Sequence, residues 1–252
     1  ITDSAQFIMI SDGDSLFLHA DTLKTVNDTI PDEKIILAFY GVRFFRTDLQ
    51  GKCDSLVYFS RDSTIQFFNS PVLWSEIHQM SADYIEMRSN APAPDEVHLN
   101  TNAFIISRQD SLMFDQVKGK NMTGYIVDEQ LDRIFVDGNG QTIYYAREED
   151  NIIGLNRAES SKIKIQFRDG KIFRISFLGN PEGKLTPLDQ VEEEGRYLTG
   201  FDWKEAIRPV SRSDIFRKTA GSLPEKGSSR ESSETTPEGK IQEAIPAEEE
   251  IR

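Results

Sequence analysis

Cysteine is nearly missing from this chain of 252 residues, and its one thiol, Cys53, excludes an internal disulfide and a zinc site built from several cysteines. No His or Asn pattern accompanies Cys53, so it reads as a small buried apolar residue and not as a nucleophile. Histidine is almost as scarce. His19, His78 and His98 stand apart, in no H-E-x-x-H or His-x-Asp pair, and read as surface or strand-edge residues. Positive charge is in the minority: 29 Lys and Arg against 42 Asp and Glu leave a net charge of −13, which argues against a nucleic-acid role, because gripping phosphate chains takes clustered cations. Apolar runs stay strand-sized, short of the roughly eighteen residues a membrane-crossing helix needs, so the chain reads as soluble and not transmembrane.

Catalytic signatures are missing as well. There is no nucleophile elbow G-x-S-x-G, no phosphate-cradling G-x-x-x-x-G-K-[ST], and no G-x-G-x-x-G ahead of a helix. "SDGDS" (Ser11 to Ser15) has two acids two apart and "DGNG" (Asp137 to Gly140) has the flavour of a calcium loop, but without the distal Glu both read as turns. A glycan-processing β-solenoid enzyme would need a carboxylate cluster on one face, which the sequence does not offer. The expectation is a protein that is not an enzyme, with no catalytic residues, no metal and no cofactor.

What the sequence does have is repetition. Ala20-Asp21-Thr22-Leu23 aligns with Cys53-Asp54-Ser55-Leu56 and with Ala82-Asp83-Tyr84-Ile85, and weaker echoes follow at Lys120 to Ile126 and Asn156 to Ile165. The period drifts over roughly 30 to 40 residues, the range of repeat architectures. Between the echoes lie runs rich in Val, Ile, Phe, Tyr, Thr and Trp, such as "IILAFYGVRFF" (Ile35 to Phe45) and "TIQFFNSPVLW" (Thr64 to Trp74), broken by Gly, Asn, Asp, Ser and Pro. No window has the apolar recurrence of an amphipathic helix, and "KIKIQFRDGKIFRISF" (Lys162 to Phe177) alternates on both sides of Asp169-Gly170 as a hairpin does. The fold class expected is all-β. Strand pairs that recur in this way must stack to bury their apolar faces, giving a ladder of roughly 40 Å with rungs about 4.8 Å apart. Alternation puts Val42 and Phe44 on one face with Arg43 on the other, and Leu56 with Tyr58 and Ile85 with Met87 continue the apolar lining.

The "ADTL", "CDSL" and "ADYI" strands, alternating with "YGVRFF" and "SPVLW", resemble the organic-solvent-tolerance A-like (OstA-like) family, which includes LptA, LptC and the LptD amino-terminal domain of lipopolysaccharide transport. The resemblance covers residues 1–185. It implies a repeat-built antiparallel β-jelly-roll, or β-taco, of two facing sheets that hold acyl chains between them. It also implies a periplasmic location, possible outer-membrane association, no cofactor, and head-to-tail contacts with similar β-jelly-roll proteins through edge strands. The lipid-binding groove expected on this basis is lined by Val42, Phe44, Leu56, Tyr58, Ile65, Phe67, Val72, Trp74, Ile85, Met87, Phe104 and Ile106. The alternative is a structural β-repeat scaffold that binds proteins through its edges and has a closed core.

Residues 186–218 read as a carboxy-terminal extension with short helical turns, in "FDWKEAIRP" with Asp202 as a cap and in "SRSDIFRK". Residues 219–252, rich in Ser, Glu, Pro, Gly and Lys, read as a disordered acidic tail. The first residue is Ile1, which points to an upstream piece such as a signal peptide.

Overall fold

The structure is a computed structural model, and it describes residues 6–11, 14–27, 33–89, 92–128, 130–149, 151–169 and 171–217. The tail at 219–252 lies outside them. The described chain is all-β and antiparallel. Its strands are β1 (Gln6–Ser11), β2 (Asp14–His19), β3 (Thr22–Asn27), β4 (Lys34–Phe45), β5 (Gln50–Phe59), β6 (Thr64–Phe68), β7 (Val72–Ser75) and β8 (His78–Ser81). They continue as β9 (Tyr84–Arg88), β10 (Asp95–Arg108), β11 (Phe114–Val127), β12 (Gln130–Glu148), β13 (Asn151–Arg168), β14 (Lys171–Leu178) and β15 (Glu182–Thr186).

All fifteen belong to one hydrogen-bonded sheet. Most successive strands form hairpins, and β6 with β7, like β8 with β9, behaves as one strand broken in the middle. Both halves of each broken strand face the same long neighbour: β5 pairs with β6 and β7, and β10 with β9 and β8. Since β6 also pairs with β9 and β7 with β8, the pairings β5, β6, β9, β10, β8, β7 return to β5 as a closed ring of six strands.

The break has a repeated chemical cause. Every second passage through the sheet carries two consecutive residues in the left-handed region: Tyr40-Gly41, Asn69-Ser70, Thr101-Asn102, Gly138-Asn139 and Gly179-Asn180. Two such residues turn the strand sharply, and the ladder register jumps there in β4, β10 and β12. The echoed small-acid pairs lie opposite these corners. The Asp21 amide donates to the Tyr40 carbonyl (3.0 Å), the Asp83 amide to Thr101 (3.0 Å) and the Ser161 amide to Gly179 (3.2 Å). The acid side chain then receives the corner residue: Asn102 Nδ2 donates to both oxygens of Asp83 (3.2 and 3.1 Å) and Asn69 Nδ2 to Asp54 (3.4 Å). The fourth echo substitutes Asn121, whose side-chain oxygen accepts from the Thr101 amide at 2.9 Å. The repeated acid is a backbone staple at a bend, with Asp21 and Asp83 exposed on the outside.

The corner column divides the sheet into two arms that fold toward each other. The first arm holds β3, β6, β9, β14, the starts of β4, β10 and β12, and the ends of β5, β11 and β13. The second holds β1, β2, β7, β8, β15 and the other halves. Their inner faces share one apolar cluster, within which Phe44 of the second arm meets Phe67 of the first at 5.4 Å between ring centroids.

After β15 the chain runs back along the outer face of the second arm in short 3₁₀ turns, Leu188–Gln190, Glu193–Arg196, Glu205–Ile207 and Arg212–Phe216. The two helical turns expected here are present as 3₁₀ turns. Asp202 does not cap either: Lys204 stands at the N-cap without a side-chain bond, and Asp202 pairs with Lys204 at 3.2 Å. This strap is anchored by three buried glutamines. Gln116 binds it at Arg196 and Leu198, Gln79 at Asp202 and Lys204, and Gln50 accepts from the Arg208 guanidinium. It ends over β2, where Arg212 lies 4.3 Å from the Phe17 ring centroid.

Candidate functional site: the cleft between the arms

Cross-strand pairing assembles the cleft one strand at a time. On the inner face of the first arm, Leu23, Ala38, Leu56, Phe67, Ile85, Leu99, Met122, Val136, Ile163 and Phe177 are successive ladder partners and form an unbroken apolar row. A second row, nearer the open end, runs Ile36, Tyr58, Ile65, Met87, Val97, Gly124, Ile134, Ile165 and Ile175. Facing them on the second arm are Leu18, Phe44, Gly51, Leu73, Met80, Ile105 and Val117, also successive partners. In the middle of the sheet the first row and its facing residues are buried, while Tyr58, Ile65 and Met87 of the second row are half-buried. Toward β14 they open, and Ile172, Ile175 and Phe177 are half-buried.

Of the expected groove residues, Val42, Phe44, Leu56, Tyr58, Ile65, Phe67, Ile85 and Met87 come together in this cleft. Val72, Trp74, Phe104 and Ile106 do not. Val72 is the ladder partner of Lys52 and Trp74 of Gln50, both outward-facing, while Phe104 and Ile106 lie under the strap with Leu198 and Trp203. Their neighbours Leu73, Ala103 and Ile105 point inward instead. The one-residue displacement exchanges the faces of these strands. It arises because the strap makes the outer face of the second arm apolar too, so a run such as "AFIIS" does not alternate.

At the open end, between the tips of the two arms, lies a cavity of about 330 Å³. Leu49, Met80, Met87, Val97 and Ile126 form its apolar wall, and Pro92 to Asp95, from the inserted loop between β9 and β10, form a lip with the Arg46–Asp48 ion pair opposite (2.5 Å). This volume is at the small end of the range for ligand sites, about 300–1,000 Å³.

A polar row crosses the inner face of the second arm near its tip: Ser75, His78, Ser107 and Asp115 are successive partners. Sequence reasoning placed His78 at a surface or edge. It is buried, sharing a hydrogen bond of 2.7 Å with Ser107 through Nδ1 and meeting Phe167 of the first arm edge-on at 5.8 Å. Period-two counting from Met80 was the signal for it. Burial pushes the His78 imidazole down to about 4. Burial pushes the Asp115 carboxyl up to about 7, although its oxygens accept from the Tyr145 amide (2.9 Å) and the Gln109 amide (2.8 Å). With both oxygens so engaged, Asp115 ties the β10–β11 turn to β12. Cys53 is buried in the apolar cluster, and desolvation pushes its thiol far up, as expected of an inert core residue. Among the described residues no group of three His, Cys, Asp or Glu side chains is placed to hold a metal ion, and no helix is long and apolar enough to cross a membrane.

Comparison of the sequence with protein-family models and with curated proteins finds no match.

Proposed function

We propose that the chain is a non-enzymatic periplasmic protein of lipopolysaccharide transport or outer-membrane assembly, an OstA-like β-jelly-roll that shields acyl chains between its two arms. The observation that carries this reading is the continuity of the inner apolar rows: the first passes through every strand of the first arm from β3 to β14 without a polar interruption, and the second does so from β4 to β14. A core that served only stability would close over at its ends. Here the rows stay apolar to the last strand, where Ile175 and Phe177 are half-buried and β14 pairs, among the described residues, on one side only, open to a strand of a similar protein.

One observation favours a second reading, that of a closed scaffold: at mid-sheet Phe44, Leu73 and Ile85 are wholly buried by their neighbours. Photocrosslinking separates the two. A photoreactive residue at Met87, Tyr58 or Ile175, all inward and half-buried, is expected to give lipopolysaccharide adducts, and one at exposed Val210 on the strap none. Absence of adducts from every inward position would sink the carrier reading and leave the scaffold.

A further inference from the structure

The chain is acidic overall, yet cations collect on one outer face. On the strands β11 to β14 of the first arm, Arg133, Lys164, Arg168 and Arg174 are interleaved with Tyr125, Phe135 and Phe173. Ladder pairing sets Tyr125 beside Arg133, Phe135 beside Lys164, and Gln166 beside Arg174. Each cation lies over a ring: Arg133 over Tyr125 (4.4 Å), Lys164 over Phe135 (5.4 Å), and Arg168 and Arg174 over Phe173 (3.9 and 5.9 Å). Of the nearby acids, Asp132 pairs with Arg133 of this face (2.6 Å), Asp137 with Lys162 (3.3 Å) and Glu96 with His98 (2.8 Å). Lys164, Arg168 and Arg174 have no ion pair among the described residues. Phe135 and Phe173 remain 39% and 52% exposed, against the usual preference for burying such rings.

We propose that this face docks the chain onto the phosphate headgroup layer of an anionic membrane. The ring positions match interfacial aromatics, which sit at headgroup level, and the unpaired cations match lipid phosphates. A single-stranded nucleic acid offers the same phosphates but binds by stacking bases on open ring faces. Here those faces are already covered by guanidinium and ammonium groups. The inference concerns the outer face alone and does not depend on what the cleft carries, so vesicle binding and cleft crosslinking fail independently.

The test is sedimentation of the full chain with vesicles of phosphatidylglycerol and phosphatidylcholine, beside vesicles of phosphatidylcholine alone. Binding to the anionic vesicles is expected, weakening as salt is raised from about 0.1 M toward about 1 M, where screening shortens to about 3 Å. The double variant Arg168→Glu/Arg174→Glu should lose at least about tenfold in binding, since each cation near such a surface is worth several-fold. A control with the same charge change on the second arm, Arg157→Glu/Lys184→Glu, should bind like the parent, with thermal melts verifying that both variants are folded. Three results would overturn the proposal: no sedimentation of the parent chain, equal loss in the control, or displacement by inorganic phosphate well beyond an equal ionic strength of chloride, which would mark a site for free phosphate.

Discussion

A single missing side chain makes room for the Phe44 ring on the inner face of the second arm. Gly51 lies opposite Phe44 on the inner face, and a Cβ there would sit 2.2 Å from Phe44 Cζ and 2.8 Å from Leu73 Cδ2. Neither ring nor leucine has free space, so Gly51→Ala forces a shift in a packed core and is expected to cost about 1–3 kcal/mol in urea unfolding. Combining it with Phe44→Leu should recover part of that loss if the clash is its cause. An additive double variant would assign the glycine to backbone geometry instead. At this scale the sequence showed where residues repeat but not why. The pair Ala82-Asp83 is visible as an echo of Ala20-Asp21. Its partner Asn102 is not, because the bond joins two corners that only the folded ladder brings together.

Among the elements, the strap determines which strands could be read correctly. In the first arm the alternation of Ile85 with Met87 was legible because one face of β9 is a cleft wall and the other carries Glu86 and Arg88, whereas on β4 to β6 the outer face holds a second buried apolar cluster of Ile35, Leu37, Phe39, Val57, Phe59 and Phe68. In the second arm Trp74 and Phe104 misled, being covered from outside by residues far along the chain. The three glutamines that hold this cover carry no sequence signal, since only burial separates Gln79 from a surface glutamine. Gln79 Oε1 accepts from the Lys204 amide (2.7 Å) and from the Trp74 indole (3.2 Å), while Nε2 donates to the Asp202 carbonyl (2.8 Å). Gln79→Ala leaves the buried Trp74 indole without its partner and frees the Lys204 amide and the Asp202 carbonyl, at a cost of about 1–3 kcal/mol for the unsatisfied indole. Amide hydrogen exchange is the direct readout. The Lys204 amide should exchange at least about tenfold faster in the variant, by local detachment, while first-arm amides such as Ile85 keep their protection. Uniform acceleration across both arms would mean that the glutamine supports the whole sheet and not the strap.

The molecule as a whole carries two buried, oppositely perturbed groups near the tip of its second arm, and its stability should record both. His78 ionises at 6.5 in an unfolded chain and at about 4 where it is buried against Phe167. Its contribution is therefore complete above pH 6.5 and is lost as the pH falls toward 4, a loss of order 3 kcal/mol from about 1.4 kcal/mol per unit. Asp115 has the opposite sense. Its carboxyl ionises at 3.8 unfolded and at about 7 in the fold, so its contribution is complete below pH 3.8 and is lost as the pH rises through 7, by an amount of order 4 kcal/mol. Between about pH 4 and 6.5 the unfolded chain binds the histidine proton while the folded chain binds the aspartate proton, and the two slopes nearly cancel. The parent chain should therefore look indifferent to pH over that window and then weaken toward 7. Removing one group unmasks the other. His78→Gln should lose stability steadily as the pH rises from about 4 to 7, whereas Asp115→Asn should be flat above about 6.5 and fall in acid. Urea midpoints collected from about pH 4 to 8 for the three proteins test this, and parallel curves would show that neither group changes its charge inside the closed cleft.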